Sequence, residues 1–143
     1  MMMKAEAHLV GTWSLVSALM EDTETKKQEL IWGERPNGRL TLTNSHWLVV
    51  QTAEGRKPPQ TDEDRSAAFR SMIAYGGRYR TEGRTILIDV DIAWDESWTG
   101  TQQVRFFDIE GDPLRIEAAP QRYANLGGRS MRGILKWQRV ESP

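Results

Sequence analysis

Two aspartates, Asp89 and Asp91, stand two residues apart in Ile86-Leu87-Ile88-Asp89-Val90-Asp91-Ile92. On a strand that spacing puts both carboxylates on one face, with Ile86, Ile88, Val90 and Ile92 on the other. Two arrangements follow. If the isoleucine face packs inward, the aspartates meet water and are spared the cost of burial. If the aspartates face inward, two like charges at close range raise one pKa and supply a proton donor or acceptor near neutral pH. Arg105 poses the same question of parity, because Gln103, Arg105 and Phe107 share one face while Val104 and Phe106 share the other. An inward Arg105 would hold a carboxylate, enolate or phenolate, or would pair with Asp89 or Asp91; an outward one would be solvated. Tyr75 and Tyr79 lie four apart with Gly77 between them on the same face. The missing side chain leaves room for a ligand or for close strand packing.

Other chemistry is excluded by composition. The chain has no cysteine, so there are no disulfides, thiolate metal sites or cysteine nucleophiles. Its two histidines, His8 and His46, are far apart and lack ligand spacing, so no metal centre is expected. No Gly-x-Ser-x-Gly elbow, Walker loop or strand-linked G-x-G-x-x-G is present, and no cofactor is expected. The 19 basic and 20 acidic residues leave a net charge of −1 over 143 residues, which points away from nucleic acid. No segment approaches the roughly 20 apolar residues that span a bilayer. Met1 to Val10 also lacks the apolar run of a signal peptide. The expectation is a cytoplasmic protein with no membrane partner.

The elements that must position these residues are mostly short strands. Glu6 to Val10 suggests a helical turn. Thr12 to Met20 alternates, with Trp13, Leu15 and Leu19 on one face. Gln28 to Trp32 reads as a strand, and Arg35-Pro36-Asn37-Gly38 as a turn. Arg39–Thr43 and Trp47–Thr52 form a hairpin around Asn44-Ser45-His46. A polar loop over 54–60 precedes the one convincing helix, about 61–74, with Thr61 as N-cap and Asp62, Glu63 and Asp64 in its first turn. Its apolar stripe is Ala68, Phe69, Met72 and Ile73. Strands return at 75–81, 85–93, 102–109, 114–118 and 133–140, with turns at Glu82-Gly83 and Glu110-Gly111-Asp112 and a loop over 121–132. The pattern predicts an all-β fold over 1–143: a single closed antiparallel barrel of about 8–10 strands, capped by the helix, because closure removes exposed strand edges.

Several segments resemble the bacterial and fungal lipocalin-like domain family, related to the calycin barrels. They are Leu9-Val10-Gly11-Thr12-Trp13-Ser14-Leu15, Pro36-Asn37-Gly38-Arg39-Leu40, Tyr75-Gly76-Gly77-Arg78-Tyr79, Trp98-Thr99-Gly100-Thr101-Gln102-Gln103-Val104-Arg105-Phe106-Phe107, Gly111-Asp112-Pro113-Leu114 and Leu135-Lys136-Trp137-Gln138-Arg139. The resemblance implies a small barrel that binds a hydrophobic molecule, in some relatives as a cyclase or isomerase of natural-product pathways. Family members often carry a histidine where this chain has Asp89.

Two functions stay open at this stage, beside a third in which the barrel is filled by its own side chains. The first is binding of a small hydrophobic molecule in the lumen, with Trp47, Phe69, Tyr75, Tyr79, Trp98, Gln103, Arg105 and Phe107 as the candidate wall. The second is a cofactor-free cyclase, isomerase or dehydratase of a polyketide-like substrate, using Asp89, Asp91 and Tyr79. A homodimer is compatible with either. Arg139 is expected to stack on Trp13 if the first and last strands adjoin.

Overall fold

The computed structural model describes residues 8–108, 113–123 and 127–141. The turn expected at Glu110-Gly111-Asp112, the start of the turn expected over Glu6 to Val10, and Ala124 to Leu126 of the loop expected over 121–132 lie outside the described residues.

Strand β1 (Gly11–Asp22) leads into the short β2 (Gln28–Leu30), which folds back on its second half. β3 (Asn37–Leu42) and β4 (His46–Thr52) form a hairpin, followed by helix α1 (Asp62–Arg70). β5 (Met72–Glu82) and β6 (Thr85–Ala93) come next, then a single 3₁₀ turn at Glu96–Trp98. β7 (Gln102–Asp108), β8 (Leu114–Ala118), β9 (Gln121–Arg122) and β10 (Ser130–Glu141) complete the order. The stretch read as a loop over 121–132 thus contributes β9 and the first residues of β10. All pairings are antiparallel, and β10 returns to pair with β1 from Thr12↔Glu141 to Asp22↔Met131. That contact closes an 8-strand barrel, with β2 and β9 as short flanking additions.

Alternation builds the core. In β4, Trp47, Val49 and Gln51 are buried while Leu48 and Val50 are exposed. In β6, Ile86, Ile88 and Val90 point inward. Register shifts break the simple period at three places, two of which decide which side chains face inward. One, between Leu15 and Ser17, brings Ala18 and Met20 rather than Leu19 to the buried face of β1. The other lies where β5 runs from Gly76 to Gly77, paired with Ile92 and Val90. Asp91 is the extra residue there, and Ile92 is turned out to 64% exposure instead of joining the isoleucine face. Gly77 is what allows it: a Cβ there would lie 1.9 Å from the Asp89 carbonyl oxygen. Its missing side chain therefore serves close strand packing rather than ligand space.

One end of the barrel is closed. Leu9 is fully buried, and its carbonyl accepts from Trp13 Nε1 at 2.9 Å. Trp13 and Arg139 are register partners, with the guanidinium carbon 4.2 Å from the indole centroid. Arg139 also donates to the carbonyls of Val10 (2.9 Å) and His8 (2.6 Å), tying the N-terminal segment to the last strand.

The opposite end carries α1. Thr61 caps it through a reciprocal pair: its hydroxyl accepts from Asp64 N, and the Asp64 carboxylate accepts from the Thr61 N–H. The helix stops at Arg70, short of the stretch read from sequence, because Met72 and Ile73 pair with Thr52 and Gln51 as the start of β5. It buries no residue. The expected turn at Arg35–Gly38 also moves: Asn37 and Gly38 open β3, and the positive φ (+82°) belongs to Gly33. Among the described residues, no helix is long and apolar enough to cross a membrane.

Candidate binding site at the open end of the barrel

Two cavities meet at the open end. The outer one, about 310 Å³, has Phe69, Trp94, Trp98 and Tyr123 as its walls and Arg70, Asp95 and Arg122 among its lining. The inner one, about 30 Å³, lies in the lumen among Trp47, Gln51, Tyr75, Arg105 and Trp137. Ile73, Trp98 and Tyr123 belong to both walls and form the partition. A larger groove of about 610 Å³ runs outside the barrel between residues 53–60 and α1. It is lined by charged, polar and small side chains, and among the described residues no aromatic ring lines it, so it offers no stacking wall for an aromatic ligand.

The aromatic partition has a defined origin. The β6–β7 connection turns at Asp95, whose carboxylate accepts from Ser97 N (3.0 Å) and Ser97 Oγ (2.8 Å). Gly100, at φ +89°, returns the chain and donates to the Val90 carbonyl. Trp98 is thereby laid over the lumen, with ring centroids 5.2 Å from Tyr75, 5.1 Å from Trp94 and 6.4 Å from Tyr123. Phe69 of α1 reaches Trp94 at 6.1 Å, which is how the helix joins the mouth.

Arg105 is the charged group of the lumen. It is only 6% exposed, and no carboxylate pairs with it among the described residues. Its guanidinium donates to the Val104 carbonyl and to the Tyr75 hydroxyl, both at 2.9 Å, and lies 5.6 Å from the Tyr75 ring. Beside it, Gln103 Oε1 accepts from Gln121 Nε2 at 3.0 Å, and the same amide donates to the Tyr123 hydroxyl at 3.1 Å. Burial pushes the Tyr123 phenol above its ordinary value, with the Arg105 charge pulling the other way. It stays protonated through the physiological range.

The residues singled out from sequence fall into three groups. Trp47, Tyr75, Trp98 and Arg105 line the inner cavity, Gln103 is joined to them through its network, and Phe69 stands at the mouth. Tyr79 lies toward the closed end, its hydroxyl donating to the Thr43 carbonyl at 2.6 Å, and Phe107 is partly buried in the core; neither lines these cavities. Asp89 and Asp91 are exposed on the outer wall, and Asp89 accepts from Gln102 Nε2 at 3.1 Å. The arrangement with the two carboxylates in the lumen is therefore corrected: Ile86, Ile88 and Val90 take the inner face, and the pair considered for proton transfer faces solvent. Gln51 and Tyr123 escape the sequence reading. Gln51 shares the parity of Trp47 and Val49, a signal that could have found it, whereas Tyr123 follows a two-residue strand and has no local signal.

Comparison with known proteins agrees with this architecture. The chain is 30% identical over 88 residues to the 4'-hydroxy-3'-methoxypropiophenone carrier protein ppsC of Aspergillus oryzae, covering 56% of this chain and 78% of that protein. No solved structure matches the chain. A family model described as "Lipocalin-like domain" matches residues 10–140, spanning both cavities, and the chain belongs to the lipocalin-like domain family.

Proposed function

We propose that this protein binds a small aromatic molecule at the open end of its barrel and carries it, rather than transforming it with a carboxylate acid–base pair. The observation that carries this reading is the aromatic-walled outer cavity of about 310 Å³ set directly over the polar lumen. A single aromatic ring needs about 150 Å³, so the outer cavity accommodates one and the inner cavity alone does not. Desolvating the ring against Phe69, Trp94 and Trp98 supplies the affinity, and the polar groups of the lumen orient it. The relative's name as carrier of an aryl ketone supports the same ligand class and a place in natural-product metabolism. The absence of cysteine accords with a cytoplasmic setting.

The test is a fluorescence titration with 4'-hydroxy-3'-methoxypropiophenone, alongside native mass spectrometry of the freshly purified protein. Saturable, one-to-one quenching of tryptophan emission that weakens in Trp98→Ala is the expected result. No saturable signal with this or related aryl ketones, and no co-purified small molecule, would overturn the reading.

A further inference from the structure

We propose that the lumen selects an anionic oxygen on its aromatic ligand, a phenolate or carboxylate, by presenting a buried guanidinium that has no carboxylate partner among the described residues. The proposal rests on the binding reading above and narrows it to a charge class.

Several observations converge on the inner cavity. Arg105 is a buried cation whose acceptors are the Val104 carbonyl, the Tyr75 hydroxyl and, at 3.5 Å, Gln103 Oε1, all of them neutral. Trp47 and Trp137, whose rings line the cavity, keep buried indole N–H groups with no acceptor among the described residues, and neither N–H is open to a water molecule, so Arg105, Gln51 and Tyr75 are the donors that face a ligand. An indole can only donate, so the 2.9 Å bond from Trp32 Nε1 fixes the Gln51 oxygen toward Trp32. The Gln51 amide NH₂ is thereby turned away from Trp32 and has no acceptor among the described residues. Tyr75 accepts from Arg105, so its own proton is likewise available. Among the described residues no Asp or Glu lines the cavity. Its volume of about 30 Å³ is the room of one water, which accepts only two hydrogen bonds. This surplus of donors suits a small head carrying several lone pairs and a negative charge.

The cavities divide the ligand accordingly. The head would lie on the lumen side of Trp98 and Tyr123, and the ring in the outer cavity. Arg70 and Arg122 outnumber Asp95 at that mouth, so the approach is also electropositive.

The experiment compares para-nitrophenol with nitrobenzene by calorimetry across the pH range in which the phenol ionises. Nitrobenzene has no ionisable group, so it reports any titration of the protein's own groups at the site, namely Tyr75, Tyr123, Asp95, Arg70 and Arg122. The wild type is expected to bind the phenolate at least tenfold tighter than nitrobenzene, and to lose that preference at pH values where the phenol is neutral. Arg105→Met should bring the two ligands to parity while nitrobenzene still binds. Arg105→Lys, which keeps the charge without the planar fork, should retain part of the preference; it decides the matter together with the wild-type pH series if the Met variant does not fold. Equal affinity for both ligands in the wild type overturns the charge selection and leaves aromatic binding standing. Binding of neither ligand removes both.

Discussion

Gly77→Ala is the sharpest test of how this barrel sets its inner face. The added Cβ would lie 1.9 Å from the Asp89 carbonyl oxygen and 3.1 Å from Val90 Cα. Both are backbone atoms, which cannot rotate away as a side chain would. The strands must separate locally by more than 1 Å (roughly the shortfall from van der Waals contact), or the bulge must be lost. Losing it would leave Ile86, Ile88 and Val90 in the register that the Glu82–Thr85 turn fixes, but would slip the pairing of Tyr75 and Gly76 by one residue and turn Ile92 to the inner face. The cost belongs at the upper end of overpacking, about 3 kcal/mol, which for a domain of this size lowers Tm by roughly 10 °C. The control is Gly83→Ala. Gly83 has φ +62° and nothing within 4 Å of where a methyl would stand, so only backbone strain applies. That costs about 1 kcal/mol. Chemical denaturation of both variants, read by circular dichroism, separates the mechanisms. A Gly77→Ala variant as stable as Gly83→Ala would mean that the close approach of β5 and β6 is easily relaxed, and that Gly77 does not hold the bulge in place.

Asp89→Asn and Asp91→Asn should leave stability within about 0.5 kcal/mol and ligand affinity unchanged in titration, since both side chains face solvent. Arg139→Ala removes the Trp13 stack and the bonds to the His8 and Val10 carbonyls. It should cost about 2 kcal/mol, with faster amide exchange at residues 8–13 as the local signature. Thr61→Ala breaks the capping pair of α1 and should cost about 1 kcal/mol, read as a lower Tm and a smaller helical signal. The Asp22 carboxylate accepts from the Thr25 and Glu24 N–H groups, which hold its pKa below the ordinary 3.8. A depressed folded-state pKa gives a contribution present above 3.8 and lost as pH falls through the folded value. Acid denaturation curves should therefore be shallower below that pH for Asp22→Asn than for the wild type.

Much of the barrel was legible because strand alternation and turn residues are local properties. The β4 pattern, the Glu82-Gly83 turn and the Thr61 cap all follow from side chains acting on their own stretch of backbone. The pairing of Trp13 with Arg139 was legible once closure was assumed. Arg105, Tyr75, Trp47 and Trp98 could be named as candidates from residue type and parity. Their meeting in one cavity could not, since it depends on where three separate strands and a turn are laid against one another.

A closed antiparallel barrel with a helix beside one end was already dictated by the order of residues, because period-2 patterning and the need to cover strand edges leave few alternatives. Which face of each strand looks inward past a bulge was settled only when the strands came together, because a bulge arises from a pair of strands and not from one. That outcome turned Ile92 out. The choice of inner face in β6 and β7, made where no bulge intervenes, sent Asp89 to solvent. It left Arg105 as a buried cation among neutral groups. The chemistry of the site thus passed from a pair of carboxylates, conspicuous in the sequence, to a lone guanidinium whose lack of a carboxylate partner is visible only in three dimensions.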